Sequence, residues 1–163
     1  MTKAIEHKLD KEVRAMFRNA SQSEIRSSDT SKVSFNEFLS DKMFIISAIR
    51  AGIPYSLFSL IRDITPFTET EWAGFLDISA KSLHRYKADS RHFKPLQSEK
   101  IIELAEVTKL GIEVFEDMDK LKLWLSTPNF ALGDNPPIAL LKDSYGKELV
   151  MGELTRIHYG IFV

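Results

Sequence analysis

The sequence has no cysteine among its 163 residues, which removes disulfides, thiolate nucleophiles and cysteine-held zinc or iron–sulfur centres in one step. It also lacks any apolar run close to the ~20 residues that a membrane span needs. Acids and bases occupy residues 1–10, where a signal peptide carries an apolar stretch. A surplus of charge is missing too: 22 Lys and Arg stand against 23 Asp and Glu, a formal net charge of -1. Attraction to a polyanion must therefore come from a local patch and not from the field of the whole molecule. These absences lead to the expectation of a chain held in the cytoplasm, with no membrane partner.

Recognisable enzyme motifs are absent as well. His7, His84, His92 and His158 are scattered without an HExxH pair or another ligand spacing, and there is no Walker A loop, GxGxxG or GxSxG. Neighbouring acids such as Glu116 and Asp117 fall at a charged helix end, where carboxylates are ordinarily solvated. No catalytic residue, metal ligand or cofactor is expected. Alternating strand patterns are missing throughout, so the expected fold class is all-α.

What is present is apolar content, at 44% of residues enough for a core without covalent staples. Ile5, Leu9, Val13 and Met16 or Phe17 recur at helical spacing and predict an amphipathic helix over residues 3–20, free to dock on the body or to meet a partner. Serine, threonine and charge crowd residues 21–32, which read as a mobile linker. From Val33 the apolar density rises, and one helix is expected to run to Gly52 and Pro54, followed by SLFSLIRDI up to Pro66. TETE at 68–71 is a capping box, in which Thr68 and Glu71 satisfy free amides and open a helix that buries Trp72, Phe75 and Leu76.

Three residues, Asp77, Ile78 and Ser79, then lead into AKSLHRYKAD, giving two short helices in helix-turn-helix layout with Ile78 and Leu83 as core plugs. With Leu83 inward, Ala80, Lys81, Ser82, Arg85 and Tyr86 take other faces, their basic and hydroxyl groups open to phosphates or base edges. The stretch from 80 to 94 holds Lys81, Arg85, Lys87, Arg91 and Lys94 against one acid, Asp89. Beyond Pro95 the character changes. Ser98 and Glu99 are read as opening a long helix whose outer face is mostly acidic through Glu103, Glu106 and Glu113. A short helix over DMDKLKLWLS, an ordered loop NFALGDNPP and closing helices over IALL and ELVMGELTRIHYGIF complete the chain.

From about Gly52 onward these motifs run in an order that resembles the Xre-type antitoxins of the RES–Xre toxin–antitoxin systems, the MbcA/ParS/Xre group. The residues that carry the resemblance are AGIP at 51–54, ISAKSLHR at 78–85, LQSEKIIELAEV at 96–107 and EVF at 113–115. LWLSTPNFALGDNPPIALL at 123–141 and YGKELVMGELTRIHYG at 145–160 complete it. Two positions depart from the pattern: Asp77 holds a turn position often filled by glycine, and Glu116 follows EVF where glycine is common.

The resemblance implies a noncatalytic protein with a helix-turn-helix DNA-binding domain at 41–94 and a toxin-binding domain at 95–163; residues 1–40, which it does not reach, are read as an N-terminal extension with a mobile linker. Its implied partners are a cognate RES-domain toxin that degrades NAD, whose active site the protein blocks, and operator DNA, through which it represses its own operon. A homodimer or a toxin–antitoxin hetero-oligomer follows from that reading. Lys81, Ser82, His84, Arg85 and Lys87 would meet DNA; Asn129, Leu132, Gly133, Pro136, Arg156, Tyr159, Gly160 and Phe162 would meet the toxin. The alternatives at this point are a plain helix-turn-helix regulator whose C-terminal half dimerises or senses a ligand, and an adaptor without DNA binding.

Overall fold

The computed structural model describes residues 1–20 and 30–161, all of them helix, turn or loop apart from two isolated backbone bridges. The helices in chain order are α1 (Lys3–Asn19), α2 (Phe35–Ser40), α3 (Lys42–Ala51), α4 (Tyr55–Asp63), α5 (Glu69–Phe75) and α6 (Ala80–Ala88). They are followed by α7 (Pro95–Phe115), α8 (Met118–Ser126), α9 (Pro137–Leu140) and α10 (Ser144–His158). The all-α expectation holds. None of these helices is long and apolar enough to cross a membrane.

α1 lies on the body of the protein. Leu9, Val13, Met16 and Phe17 are buried against α4 and α2. Polar ties fix its register: Asp10 accepts the Phe35 N–H at 2.7 Å, the Arg14 Nε donates to the Val33 carbonyl at 3.0 Å, and Glu12 accepts the Ser56 hydroxyl at 2.6 Å. Of the expected linker, Thr30–Lys32 forms a 3-10 turn beneath α1, and residues 21–29 lie outside the described residues.

The single helix expected from Val33 to Gly52 is two helices, broken at Asp41. That residue ends α2 in extended conformation and caps α3, its carboxylate accepting the Met43 N–H at 2.8 Å. Gly52, at φ 84°, stops α3, and a Cβ there would meet the Phe93 carbonyl oxygen at 2.5 Å, so only glycine fits.

α7 is the spine, in contact with α2, α3 and α4 on the N-terminal side and with α8 and α10 on the other. It starts at Pro95, three residues before the expected Ser98, because proline suits the first helical position. Ser98 is instead fully buried, accepting the Ile53 N–H at 2.9 Å and donating to the Phe93 carbonyl at 3.2 Å. Of the acids expected on its outer face, Glu113 is exposed, but Glu103 and Glu106 are not. Glu103 is buried, paired with Lys100, and accepts the Ser144 hydroxyl at 2.9 Å, while Lys100 donates to the Leu141 carbonyl at 3.0 Å. Glu106 binds Lys147 at 2.7 Å and Lys42 at 3.8 Å. These acids clasp α10 and α3 to α7. One continuous core results, running from Leu9 and Phe17 through Phe58 and Trp72 to Ile101, Leu121, Val150 and Leu154.

Candidate functional site

α5 and α6 form the helix-turn-helix. Thr68 and Glu71 make the reciprocal capping box, with the Glu71 N–H donating to Thr68 Oγ1 at 3.2 Å and the Thr68 N–H to Glu71 Oε2 at 2.7 Å. Trp72, Phe75 and Leu76 are buried as expected. Asp77 adopts φ 52°, the left-handed turn that lets the chain reverse. Ser79 caps α6 by accepting the Ser82 N–H at 3.1 Å. Leu83 is buried; Ile78 is only half-buried and packs at the edge of the core.

With ~3.6 residues per turn, Leu83 inward puts Lys81, His84, Arg85 and Ala88 on the outward face of α6, and all four are exposed. Ala80 and Lys87, three residues before and four after Leu83, flank the buried side at the two ends of the helix and are exposed there. Among the described residues Lys81, Arg85 and Lys87 have no carboxylate partner, and His84 Nε2 lies 3.3 Å from Glu69 of α5. Of the five residues expected to meet DNA, Ser82 stands apart: it is half-buried and its hydroxyl accepts from Ser79 at 3.0 Å, as part of the cap. Small alanines between long cations leave α6 open to a groove edge.

The support for this helix comes from Gln97 and Phe93, which the sequence reading passed over, and from Tyr86, which was expected on an open face and is instead half-buried with its hydroxyl engaged. Gln97 of α7 donates to the Leu76 carbonyl and accepts from the Tyr86 hydroxyl, each at 3.3 Å, tying the turn, α6 and α7 together. Tyr86 stacks on Phe93 at 4.5 Å between ring centroids and 8° between planes. Nothing in the local pattern marks Gln97; only its position one turn into the helix after the motif could have suggested it.

A second surface lies on the C-terminal part. The loop after α8 closes on itself: Asn129 Oδ1 accepts the Ala131 N–H at 2.9 Å, and Asn135 Nδ2 donates to the Leu132 and Gly133 carbonyls. Gly133 and Asp134 both take positive φ. Leu132, expected at a partner surface, is buried; it anchors the 3-10 turn Phe130–Leu132 against α10. The exposed apolar side chain of the loop is Phe130, at 88%. Pro136 is half-buried and caps α9.

On α10, Val150 and Leu154 face the core. The opposite face presents Tyr145, Leu149, Gly152, Arg156 and Tyr159 at steps of four and three residues, one stripe along the helix. Tyr145, Leu149 and Tyr159 are exposed, and Arg156 is held by Glu153 at 3.0 Å. Three expected residues thus fall on or beside this stripe, Gly160 following at φ 67°, while Phe162 lies outside the described residues. Tyr145 and Leu149 were missed, although their spacing from Arg156 and Tyr159 was available. Large exposed side chains in one row are unlike the scattered apolar residues of an ordinary surface. Among the described residues no cluster of three or more His, Asp or Glu side chains could hold a metal ion.

Residues 44–106 match the family model of the antitoxin Xre-like helix-turn-helix domain, and residues 110–160 that of the antitoxin Xre/MbcA/ParS C-terminal toxin-binding domain. The chain is similar to the antitoxin Xre of Yersinia enterocolitica serotype O:8 / biotype 1B, 26% identical over 119 residues that cover 72% of this chain and 80% of the relative. Among solved structures it is similar to a chain of the M. tuberculosis MbcT–MbcA toxin–antitoxin complex, with a TM-score of 0.53 and 25% identity over 65% of this chain and 94% of that one.

Proposed function

The chain belongs to the Xre/MbcA/ParS antitoxin family, and from that premise we propose that it neutralises a RES-type, NAD-degrading toxin with its C-terminal surface and represses its own operon with its helix-turn-helix. The observation that carries this reading is that α6 and α10, both tied to α7, expose two chemically unlike surfaces. α6 offers Lys81, Arg85 and Lys87, exposed and without a carboxylate partner among the described residues, suited to phosphates and base edges. α10 offers Tyr145 and Tyr159, large amphipathic side chains of the kind that anchor protein interfaces, with the apolar Leu149 exposed in the same row.

In this reading the α10 stripe, the Asn129–Pro136 loop and the residues from Tyr159 onward cover the entrance to the toxin's active site and keep NAD out. The solved relative is a toxin–antitoxin complex, which supports a protein partner for this half. Arg85, Lys81, His84 and Lys87 enter the operator groove, with Ser82 fixing the start of α6. Helix-turn-helix units act in pairs on two half-sites, so the DNA-bound species is a homodimer or a toxin–antitoxin hetero-oligomer.

Substituting Arg85→Ala together with Lys87→Ala tests the division. Operator binding in a mobility-shift assay is expected to fall at least tenfold, a loss of about 1.4 kcal/mol or more, while the variant still protects cells from the toxin. Loss of both activities in a variant that melts like the wild type would contradict a division into two surfaces.

A further inference from the structure

α1 lies outside both matched regions, which begin at residue 44. Its buried side is Leu9, Val13, Met16 and Phe17. At ~3.6 residues per turn, the opposite side is made by Lys3, His7, Lys8, Lys11 and Arg18, all exposed. The three acids of the helix take other bearings. Asp10 and Glu12 face the body, where they accept the Phe35 N–H and the Ser56 hydroxyl, and Glu6 projects beside the buried side. Among the described residues, Lys3, Lys8, Lys11 and Arg18 have no carboxylate partner. In a chain of net charge -1, this is a second concentrated cationic face.

Its position relates it to the first. Ser56, the partner of Glu12, follows Tyr55, whose N–H donates to the Arg91 carbonyl at 3.0 Å. Arg91 belongs to the basic stretch that contains α6. Lys8 sits one turn before Glu12 on the same flank of α1, so Lys8 is linked through the first turn of α4 to the backbone of the stretch that follows α6, where Arg91 itself pairs with Asp89 at 2.7 Å. The α10 stripe belongs to a helix packed on α7 and α9, whereas α1 packs on α4, α2 and the 30–32 turn.

We propose that the exposed face of α1 is a second phosphate-binding surface, which grips the backbone of the operator duplex beside the segment read by α6. This rests on the DNA-binding reading above and extends it. Lysine and arginine on phosphates add affinity and fix register without reading sequence. The face therefore strengthens binding to every duplex by the same factor and leaves discrimination to α6.

The test uses the full chain and two fluorescein-labelled duplexes, one from immediately upstream of its own gene and one of scrambled sequence, titrated at about 50 to 200 mM salt. Lys8→Gln with Lys11→Gln and Arg18→Gln is expected to lower the magnitude of the log affinity against log salt slope by about 2 to 3, at ~0.9 per lost contact. Both duplexes should weaken in equal proportion, and melting temperature and toxin protection should be unchanged. The charge-preserving variant Lys8→Arg, Lys11→Arg, Arg18→Lys should keep the wild-type slope; if it loses the slope equally, the effect is conformational and the proposal falls. An unchanged slope in the glutamine variant, while Arg85→Ala with Lys87→Ala removes binding, overturns the α1 surface and leaves the DNA-binding reading standing. Absence of wild-type binding to either duplex overturns that reading itself. Loss of toxin protection with DNA binding intact would assign the face to a protein partner and also overturn the proposal.

Discussion

At the scale of single residues, the two departures from the family pattern have a common physical basis. Asp77 and Glu116 both adopt left-handed backbone, at φ 52° and 56°, the conformation in which glycine is unstrained and an L side chain crowds its own carbonyl. Asp77 lies between α5 and α6, and aspartate is among the side chains that tolerate this region best. Glu116 ends α7 in the position where a helix ordinarily carries glycine. Replacing Glu116 by Gly is therefore expected to stabilise the fold by roughly 0.5–1 kcal/mol, since relief of strain outweighs the greater freedom of the unfolded chain. Calorimetry should show a rise of about 2–4 °C in melting temperature per kcal/mol; a fall would mean that the Glu116 side chain itself holds the α7–α8 corner.

At the scale of elements, local signals were legible and distant ones were not. The Thr68–Glu71 box, the left-handed Asp77 and the buried Leu83 are each set by a handful of neighbouring residues, so sequence alone located the helix-turn-helix. The break at Asp41 was hidden because FNEFLSDKMFIISAIR carries apolar residues at helical spacing on both sides of it, and only docking against α7 decides that two helices fit where one does not. Glu103 and Glu106 read as solvated because helical periodicity assigns charges to the outside. Their partners Ser144 and Lys147 are 41 residues away in sequence. In the aperiodic loop no repeat separates inside from outside, which is why Leu132 was placed at the surface and Phe130 was passed over. The junction of α9 and α10 is equally a matter of close approach: a Cβ on Gly146 would lie against the Leu140 carbonyl group, below any allowed contact. Gly146→Ala is expected to cost about 1–3 kcal/mol, seen as a lower midpoint in urea; an unchanged midpoint would show that α10 can shift without loss.

At the scale of the whole molecule, α7 sets the functional geometry. Through Gln97 it holds the turn and α6, through Ser98 the segments at Ile53 and Phe93, and through Lys100, Glu103 and Glu106 it holds α10 and α3. The two surfaces are thus both built on the N-terminal half of one helix, which is how a chain with balanced charge exposes a cationic face on α6 and a row of large side chains on α10. Apolar stripes of this kind have a centre, and here it is Leu149, exposed between Tyr145 and Gly152. The measurement that reaches the central claim most directly is recovery of partners from the native host with the full chain as bait. Wild type, Leu149→Arg, and Arg85→Ala with Lys87→Ala are run in parallel and the retained proteins identified by mass spectrometry. The expected result is a RES-type NAD-degrading enzyme on the wild type and on the DNA-face variant, reduced on Leu149→Arg by about thirtyfold or more in affinity, as for loss of an interface anchor worth ~2 kcal/mol. Equal recovery on the wild type and both variants, or recovery of only a second copy of the chain, would contradict the account of α10 as the toxin-binding surface.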